Sequence, residues 1–260
     1  MSSPQYEIYA IKYAHHARRA SENFIGGDPH DGPMPLDYFV WLVRGDGREI
    51  VVDTGFSAAT AARRQRDHIR CPTEGLRLLG VDATKIKDVV ITHLHYDHVG
   101  NFDLFPSASF HLQDKEMHYA TGRHMGQPVF SGAFDVEDVV GMVRNSYAGR
   151  VRFHDGDAQI APGVSVHLIG GHTMGLQVVR VATRRGWVVL ASDASHFYAN
   201  MEQQRPFPIV YNLADMVEGY ARLRALADSP AHIIPGHDPQ VLARYPAPDK
   251  ALQGIAARLD

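Results

Sequence analysis

The stretch THLHYDHVGN, residues 92–101, places His93, His95, Asp97 and His98 within six consecutive positions. Imidazoles and a carboxylate at that density form either a polar surface turn or a set of ligands around a cation. Histidine is the commonest metal-binding side chain. A single catalytic zinc that keeps an open position takes three protein ligands, so four from one segment exceed its need. Two metals sharing the segment would use it more naturally.

The remaining ligands of such a centre should lie at strand ends, in small-residue turns that let the backbone approach. Three stretches have that form. IGGHTMG (169–175) sets His172 behind two glycines. ASDAS (191–195) sets Asp193 after the apolar run WVVLAS. IPGHD (234–238) sets His237 after HIIP. A second metal needs a bridging oxygen ligand, and Asp193 is the carboxylate suited to that task. Singly, a strand-end histidine is more often a hydrogen-bonded core residue and a strand-end aspartate a turn residue. Their conjunction with the 93–98 cluster is what points to metal.

Positioning these residues requires strands that end together. EIYAIKY (7–13) alternates, YFVWLV (38–43) is aromatic and β-branched, and EIVVDTG (49–55) ends on a turn signal; all three read as strands. RGDG (44–47) is a hairpin turn. Ser57 can cap a helix running through AATAARRQRDHI, and Pro72 can open a short helix ending near Gly80. DVVITH (88–93) reads as a buried strand that delivers the cluster. Extended geometry would put His93 and His95 on one face. Helices are expected near 114–120 and 136–145, and strands over 164–169, 176–182 and 187–192. Leu213, Met216, Val217, Tyr220, Leu223 and Leu226 give 212–227 a helical period. HIIP (232–235) is a last strand, followed by a closing helix. No repeat or linker-like shift divides the chain, so residues 1–260 read as a single domain, with two packed sheets and helices outside.

Composition narrows the function classes. Hydrophobic content is 45% and charged content 21%, with a net charge of −3, ordinary for a soluble globular protein. No basic excess argues for nucleic acid or an anionic membrane as partner. No stretch has the roughly 18 apolar residues of a membrane span, and the opening residues lack the form of a signal peptide. The one cysteine, Cys71, excludes an internal disulfide and a Cys-rich zinc site and suits a cytoplasmic location. Histidine, at 16 residues, is the outlier.

The succession H-x-H-x-D-H (93–98), GGHT (170–173), SDAS (192–195), PGHD (235–238) resembles the metallo-β-lactamase superfamily in order and spacing, from about Tyr38 to His237. The resemblance implies an α+β fold, an αββα sandwich of two mixed β-sheets with helices on the outer faces. It implies His93, His95 and His172 on one metal, Asp97, His98 and His237 on the other, and Asp193 bridging. Asp53 in VVDTG looks like the family's early strand-end aspartate, a supporting or turn residue rather than a ligand. Two divalent ions would share a hydroxide that attacks an acyl carbonyl. Zinc is the first expectation, with manganese, iron or cobalt also served by such ligands.

HLHYDHVGN, the ending PGHD and the stretch RASENFIGGDPHDGPMPLDYFVWLV look most like the N-acyl-homoserine lactonase branch, which opens the ring ester of its lactone. That implies a small-molecule substrate, leaves a homodimer open, and fits a role in quorum quenching. The branch often carries a tyrosine three residues after the bridging aspartate; here the position is His196, which could donate a hydrogen bond to the same substrate oxygen. Asp97 could handle a proton besides ligating. A lactonase or esterase for another ring, such as 4-pyridoxolactone, fits the same residues, and a glyoxalase-type thioesterase is a further alternative. Diiron relatives usually carry Glu at the position of His95, and non-catalytic members lose ligands, whereas all seven are present here. The loop 15–37 is the expected specificity element, with Arg18 or Arg19 able to meet a carboxylate. Phe24, Met34 and 125–134 could line an apolar site.

Overall fold

A computed structural model describes residues 4–260; residues 1–3 of the expected 1–260 domain lie outside the described part. The strands are β1 (Glu7–His16), β2 (Leu36–Gly45), β3 (Arg48–Val52), β4 (Asp67–His68), β5 (Asp88–Val90), β6 (Ser109–Gln113), β7 (Val151–His154), β8 (Ala158–Ala161), β9 (Val164–Leu168), β10 (Gln177–Thr183), β11 (Gly186–Ser192), β12 (Ile233–Pro235) and β13 (Ala256–Arg258). The helices are α1 (Ala58–Arg64), α2 (Pro72–Leu78), α3 (Tyr96–Val99), α4 (Asp114–Ala120), α5 (Pro128–Ser131), α6 (Val136–Tyr147), α7 (Tyr198–Glu202), α8 (Leu213–Leu226) and α9 (Gln240–Arg244).

One sheet runs β13-β1-β2-β3-β5-β6-β7, with β4 paired to β1; the other runs β12-β11-β10-β9-β8. Both are mixed. The first turns from antiparallel to parallel at β3, and in the second only β11 and β12 pair in parallel. This is the expected two-sheet sandwich with helices outside.

Side-chain alternation explains why β1 and β2 are apolar on both faces. Ile8, Ala10, Phe39, Trp41 and Val43 enter the core between the sheets, together with Val166, Val178 and Leu190 of the second sheet. Tyr9, Ile11, Val40 and Leu42 enter the core under α1, α2 and α6. A strand covered on both faces needs no polar side. Met216, Tyr220 and Leu223 of α8 close the opposite outer face, whereas Leu213 and Val217 are exposed. No helix is long and apolar enough to cross a membrane among the described residues.

Local signals hold where they were strongest. Asp46 and Gly47 both take positive φ, as a two-residue hairpin turn requires. Ser57 Oγ accepts from Thr60 N, and Pro72 opens α2.

Three expectations are corrected. The helix begun at Ser57 stops at Arg64, because Gln65 turns left-handed and β4 then pairs with β1. β5 stops at Val90, so His93 and His95 sit in the following loop and not on a strand face. After α9 the chain does not end in a helix; it ends in β13, which pairs with β1. Five short strands, β4, β6, β7, β8 and β13, carried too little pattern to be read.

Candidate metal centre

β3, β5, β9, β11 and β12 all end at one edge of the sandwich, and the ligand-type residues follow those ends. The loop after β5 and the turn of α3 carry His93, His95, Asp97 and His98. The turns after β9, β11 and β12 carry His172, Asp193 and His237. All seven are buried. The two sheets are tied together here: Thr92 Oγ1 lies 2.9 Å from Ser192 Oγ, and Gln177 N donates to Thr92 O.

His93 Nε2, His95 Nδ1 and His172 Nε2 form a triangle with sides of 2.9, 3.0 and 3.1 Å. A neutral imidazole offers one donor and one acceptor, so three ring nitrogens facing each other cannot all be satisfied by protons. Tetrahedral zinc–nitrogen bonds of about 2.0–2.1 Å set ligand nitrogens roughly 3.3 Å apart, close to this triangle. Burial, followed by the neighbouring imidazoles, pushes His93 and His95 well below the ordinary histidine range. Burial also lowers His172. These rings are therefore neutral, the form that ligates.

A second group gathers beside it. His98 Nε2 is 3.5 Å from Asp97 Oδ2, and His237 Nε2 is 3.7 Å from the same oxygen. Asp193 faces both groups with one oxygen each. Its Oδ1 lies 3.4 Å from His98 Nε2 and 3.0 Å from His237 Nε2, and its Oδ2 lies 3.3 Å from His172 Nε2. Yet Asp193 Oδ1 and His98 Nε2 are buried without a hydrogen-bond partner. Polar atoms orphaned in this way and aimed at a common point fit a cation between them.

Burial opposes the charge on Asp97 and Asp193, but nearby His98 and His237 more than offset it and hold both carboxyls below their usual range. Burial works against the charged form of His98 and His237 too; Asp193 and Asp97 overcome it and raise both.

The outer ring nitrogens are spent on fixed partners, which orients the inner ones. His172 Nδ1 donates to Ile209 O at 2.7 Å, His237 Nδ1 to Asp37 O at 3.0 Å, and His98 Nδ1 to Asp53 Oδ2 at 2.7 Å. Asp53 is thus the supporting residue anticipated.

Glycines permit the close approach. Gly171 has φ +83°, and a Cβ there would lie 2.5 Å from Met216 N. A Cβ on Gly236 would meet Asp193 Oδ1 at 2.7 Å.

His196 is also in the cluster, but not as a free donor. Its Nε2 is 2.9 Å from Asp193 Oδ2, its ring stacks on Phe207 at 3.5 Å, and its Nδ1 has no partner. Burial lowers it to about 3, so the ring is neutral. With its proton on Nε2 toward Asp193, the free Nδ1 can only accept. Tyr198 packs in the inter-sheet core under Arg244, away from the site.

Glu116 was not anticipated. Fully buried on α4, it accepts from Leu94 N at 2.9 Å, Thr173 Oγ1 at 2.6 Å and Gly175 N at 3.1 Å. It pins the His93–His95 loop to the His172 turn. Burial raises its carboxyl to about 7. No local pattern in QDKEMH marks it out.

A cavity of about 390 Å³ opens over the centre, reached by His95, Asp97, His172, Asp193, His196 and His237. Of the expected specificity residues, Arg18 lines it, whereas Arg19 faces outward against Asp31 at 2.6 Å. Val129, Phe130, Gly132 and Ala133 line it as well. Phe24 is instead buried under Arg205, and Met34 packs against the outer core.

Known proteins resemble this chain in sequence and in fold. The chain is 28% identical over 232 residues to the N-acyl homoserine lactonase AttM of Azorhizobium caulinodans, covering 82% of this chain and 85% of that one. It is 25% identical over 256 residues to a probable metallo-hydrolase of Mycobacterium tuberculosis, covering 88% and 77%. Among solved structures, a quorum-quenching N-acyl homoserine lactone lactonase superposes with a TM-score of 0.76 at 21% identity, over 92% of this chain and 94% of the other. The dizinc quorum-quenching lactonase AidC, in complex with its product, superposes at 0.71 and 17%, over 92% and 90%. Residues 34–237 match the family model described as the metallo-beta-lactamase superfamily, and the chain belongs to that superfamily.

Proposed function

We propose that this chain is a single-domain, dinuclear metal-dependent hydrolase that opens a lactone ring. The observation that carries the proposal is Asp193, whose two oxygens each face a separate group of ligand atoms. The lactonases among its relatives support the substrate class.

His93, His95 and His172 would hold one divalent ion, and Asp97, His98 and His237 the other, with zinc the first expectation. Bound there, the ions would supply a nucleophilic hydroxide at neutral pH and a Lewis acid for the ester carbonyl. The chain's own residues do the rest. His98, His172 and His237, whose outer nitrogens are tethered, keep their inner nitrogens aimed at the centre. Asp97 lines the cavity and can relay a proton from the attacking water toward the leaving oxygen. His196 acts through Asp193, holding Oδ2 so that Oδ1 turns to His98 and His237. Val129, Phe130 and Ile209 give an apolar lining against which the body of a substrate can pack. The free Cys71 fits a cytoplasmic setting.

The test is metal analysis joined to a panel of lactones, esters and thioesters after reconstitution with Zn, Mn, Co or Fe. About two ions per chain and lactone opening are expected, with both lost in Asp193→Asn. Fewer than about one ion per chain in well-loaded protein, or wild-type turnover in Asp193→Asn, would refute the dinuclear hydrolase.

A further inference from the structure

We propose that the cavity over the candidate metal centre binds a substrate carrying a carboxylate, recognised by Arg18 and Arg66; the proposal rests on the lactonase function above and names its substrate class. One side of the cavity is cationic. Arg18, Arg64 and Arg66 line it together with His16, which burial lowers to about 4 and so keeps neutral, and Glu22 is the only acidic side chain lining the cavity outside the ligand cluster. Glu22 reaches only to 3.9 Å from Arg18 Nε and is half exposed. Arg64 and Arg66 form no ion pair among the described residues.

The three guanidiniums are not equally free. Arg64 is used by the fold: it donates to Gly132 O and Phe134 O and lies over the Tyr96 ring at 4.0 Å. Arg66 donates Nε to the Tyr96 hydroxyl at 3.2 Å and Nη1 to Arg64 O at 2.6 Å, with the Tyr38 hydroxyl also beside its guanidinium, and its Nη2 makes no bond to an acidic group among the described residues. Arg18 makes one hydrogen bond, from Nη2 to Glu22 O. Its side chain is only 14% exposed. Partly buried guanidiniums with no closely bonded counter-ion are costly, and a carboxylate answers them with paired, charge-assisted hydrogen bonds. Burial weakens the charged form of Arg18, as expected of a cation awaiting a partner.

Val129, Phe130, Pro208 and Ile209 give the same cavity an apolar lining. A lactone with an apolar body and an anionic group distant from its reacting carbonyl matches the three features together: metal floor, apolar lining and cationic wall. A neutral N-acyl lactone would leave the arginines unanswered.

The test compares the metal-loaded wild type with Arg18→Met, Arg66→Met and Arg66→Lys. Substrates are two N-acyl lactones that differ only in a terminal methyl or a terminal carboxylate. Wild type should prefer the carboxylate form by about tenfold or more in kcat/KM, about 1.4 kcal/mol. Each methionine variant should lose most of that preference through KM, and Arg66→Lys should keep part of it. No preference in wild type, or one unchanged in both methionine variants, overturns the proposal while leaving lactone hydrolysis intact. If neither lactone opens, the hydrolase assignment fails, and calorimetric binding of phthalate decides the anion site alone. Binding that weakens about tenfold or more in Arg66→Met supports the site; absent or unaltered binding overturns it. Melting temperature and metal content of every variant exclude unfolding as the cause.

Discussion

Asp53 Oδ2 accepts a hydrogen bond from His98 Nδ1 at 2.7 Å, at a completely buried position. The aspartate reaches His98 because it stands at the end of β3 with φ +61°, a conformation that Asp tolerates better than most residues. Thr92 N and Oγ1 both donate to the same carboxylate at 2.8 Å. Asp53 therefore fixes the ring plane of His98 and makes its inner nitrogen more basic. Asp53→Asn keeps the shape but loses the charge. It should weaken metal retention by about 10–100-fold, read by chelator competition; unchanged affinity would detach Asp53 from the centre.

Glu116 joins two ligand-bearing loops by three hydrogen bonds from donors with no access to water. Each buried donor left unpaired costs about 1–3 kcal/mol. Glu116→Ala should therefore lower stability by several kcal/mol and loosen the His93–His95 loop. Denaturant melts of metal-loaded protein measure the loss, and hydrogen exchange at Leu94 and Gly175 locates it. A melt superimposable on wild type would contradict the tether.

Gly236 has room for hydrogen only, since a Cβ would stand 2.7 Å from Asp193 Oδ1 and 2.8 Å from Ser192 O. Gly236→Ala must push the Asp193 carboxylate off the line between the two ligand groups. The expected result is reduced metal content with the global fold preserved in circular dichroism. A fully loaded variant would mean that Asp193 tolerates displacement.

Asp138, in the first turn of α6, has its carboxyl raised to about 7 by burial and then by Asp135, with Arg63 and Arg64 opposing. Unfolded, an aspartate releases its proton near pH 3.9. Between these values the folded state holds a proton that the unfolded state has lost, so stability falls as pH rises through the window. Asp138→Asn should then gain melting temperature relative to wild type as pH increases from about 4 to 7. A constant difference across that range would show that Asp138 ionises normally.

Much of the candidate centre was legible because metal ligation would constrain residue type and spacing so tightly. His93, His95, Asp97, His98, His172, Asp193 and His237 are all named by the sequence, and the structure brings all seven together. The long apolar strands β1, β2, β10 and β11 were legible for a related reason, since burial on both faces leaves continuous apolar runs. Strands of two to five residues, such as β4, β6 and β13, carry no periodicity to read. They exist because neighbouring strands need partners.

The sequence by itself determined the candidate ligand residues, their order, and the turn chemistry behind Gly171 and Gly236, because these depend on which atoms a residue owns. Only the tertiary structure decided which side chains support and surround them. Glu116, Gln177 and Asp37 are adjacent to the centre solely through long-range packing, and no local pattern distinguishes them from surface polar residues. The same holds for Arg66. Its apparent place in a continuing helix would have left it on a solvated face, but the left-handed turn at Gln65 and the pairing of β4 with β1 bring it into the cavity wall. His196 shows the converse. Its type allowed a donor to substrate, and the fold committed its Nε2 to Asp193, because a neutral imidazole has one proton to give.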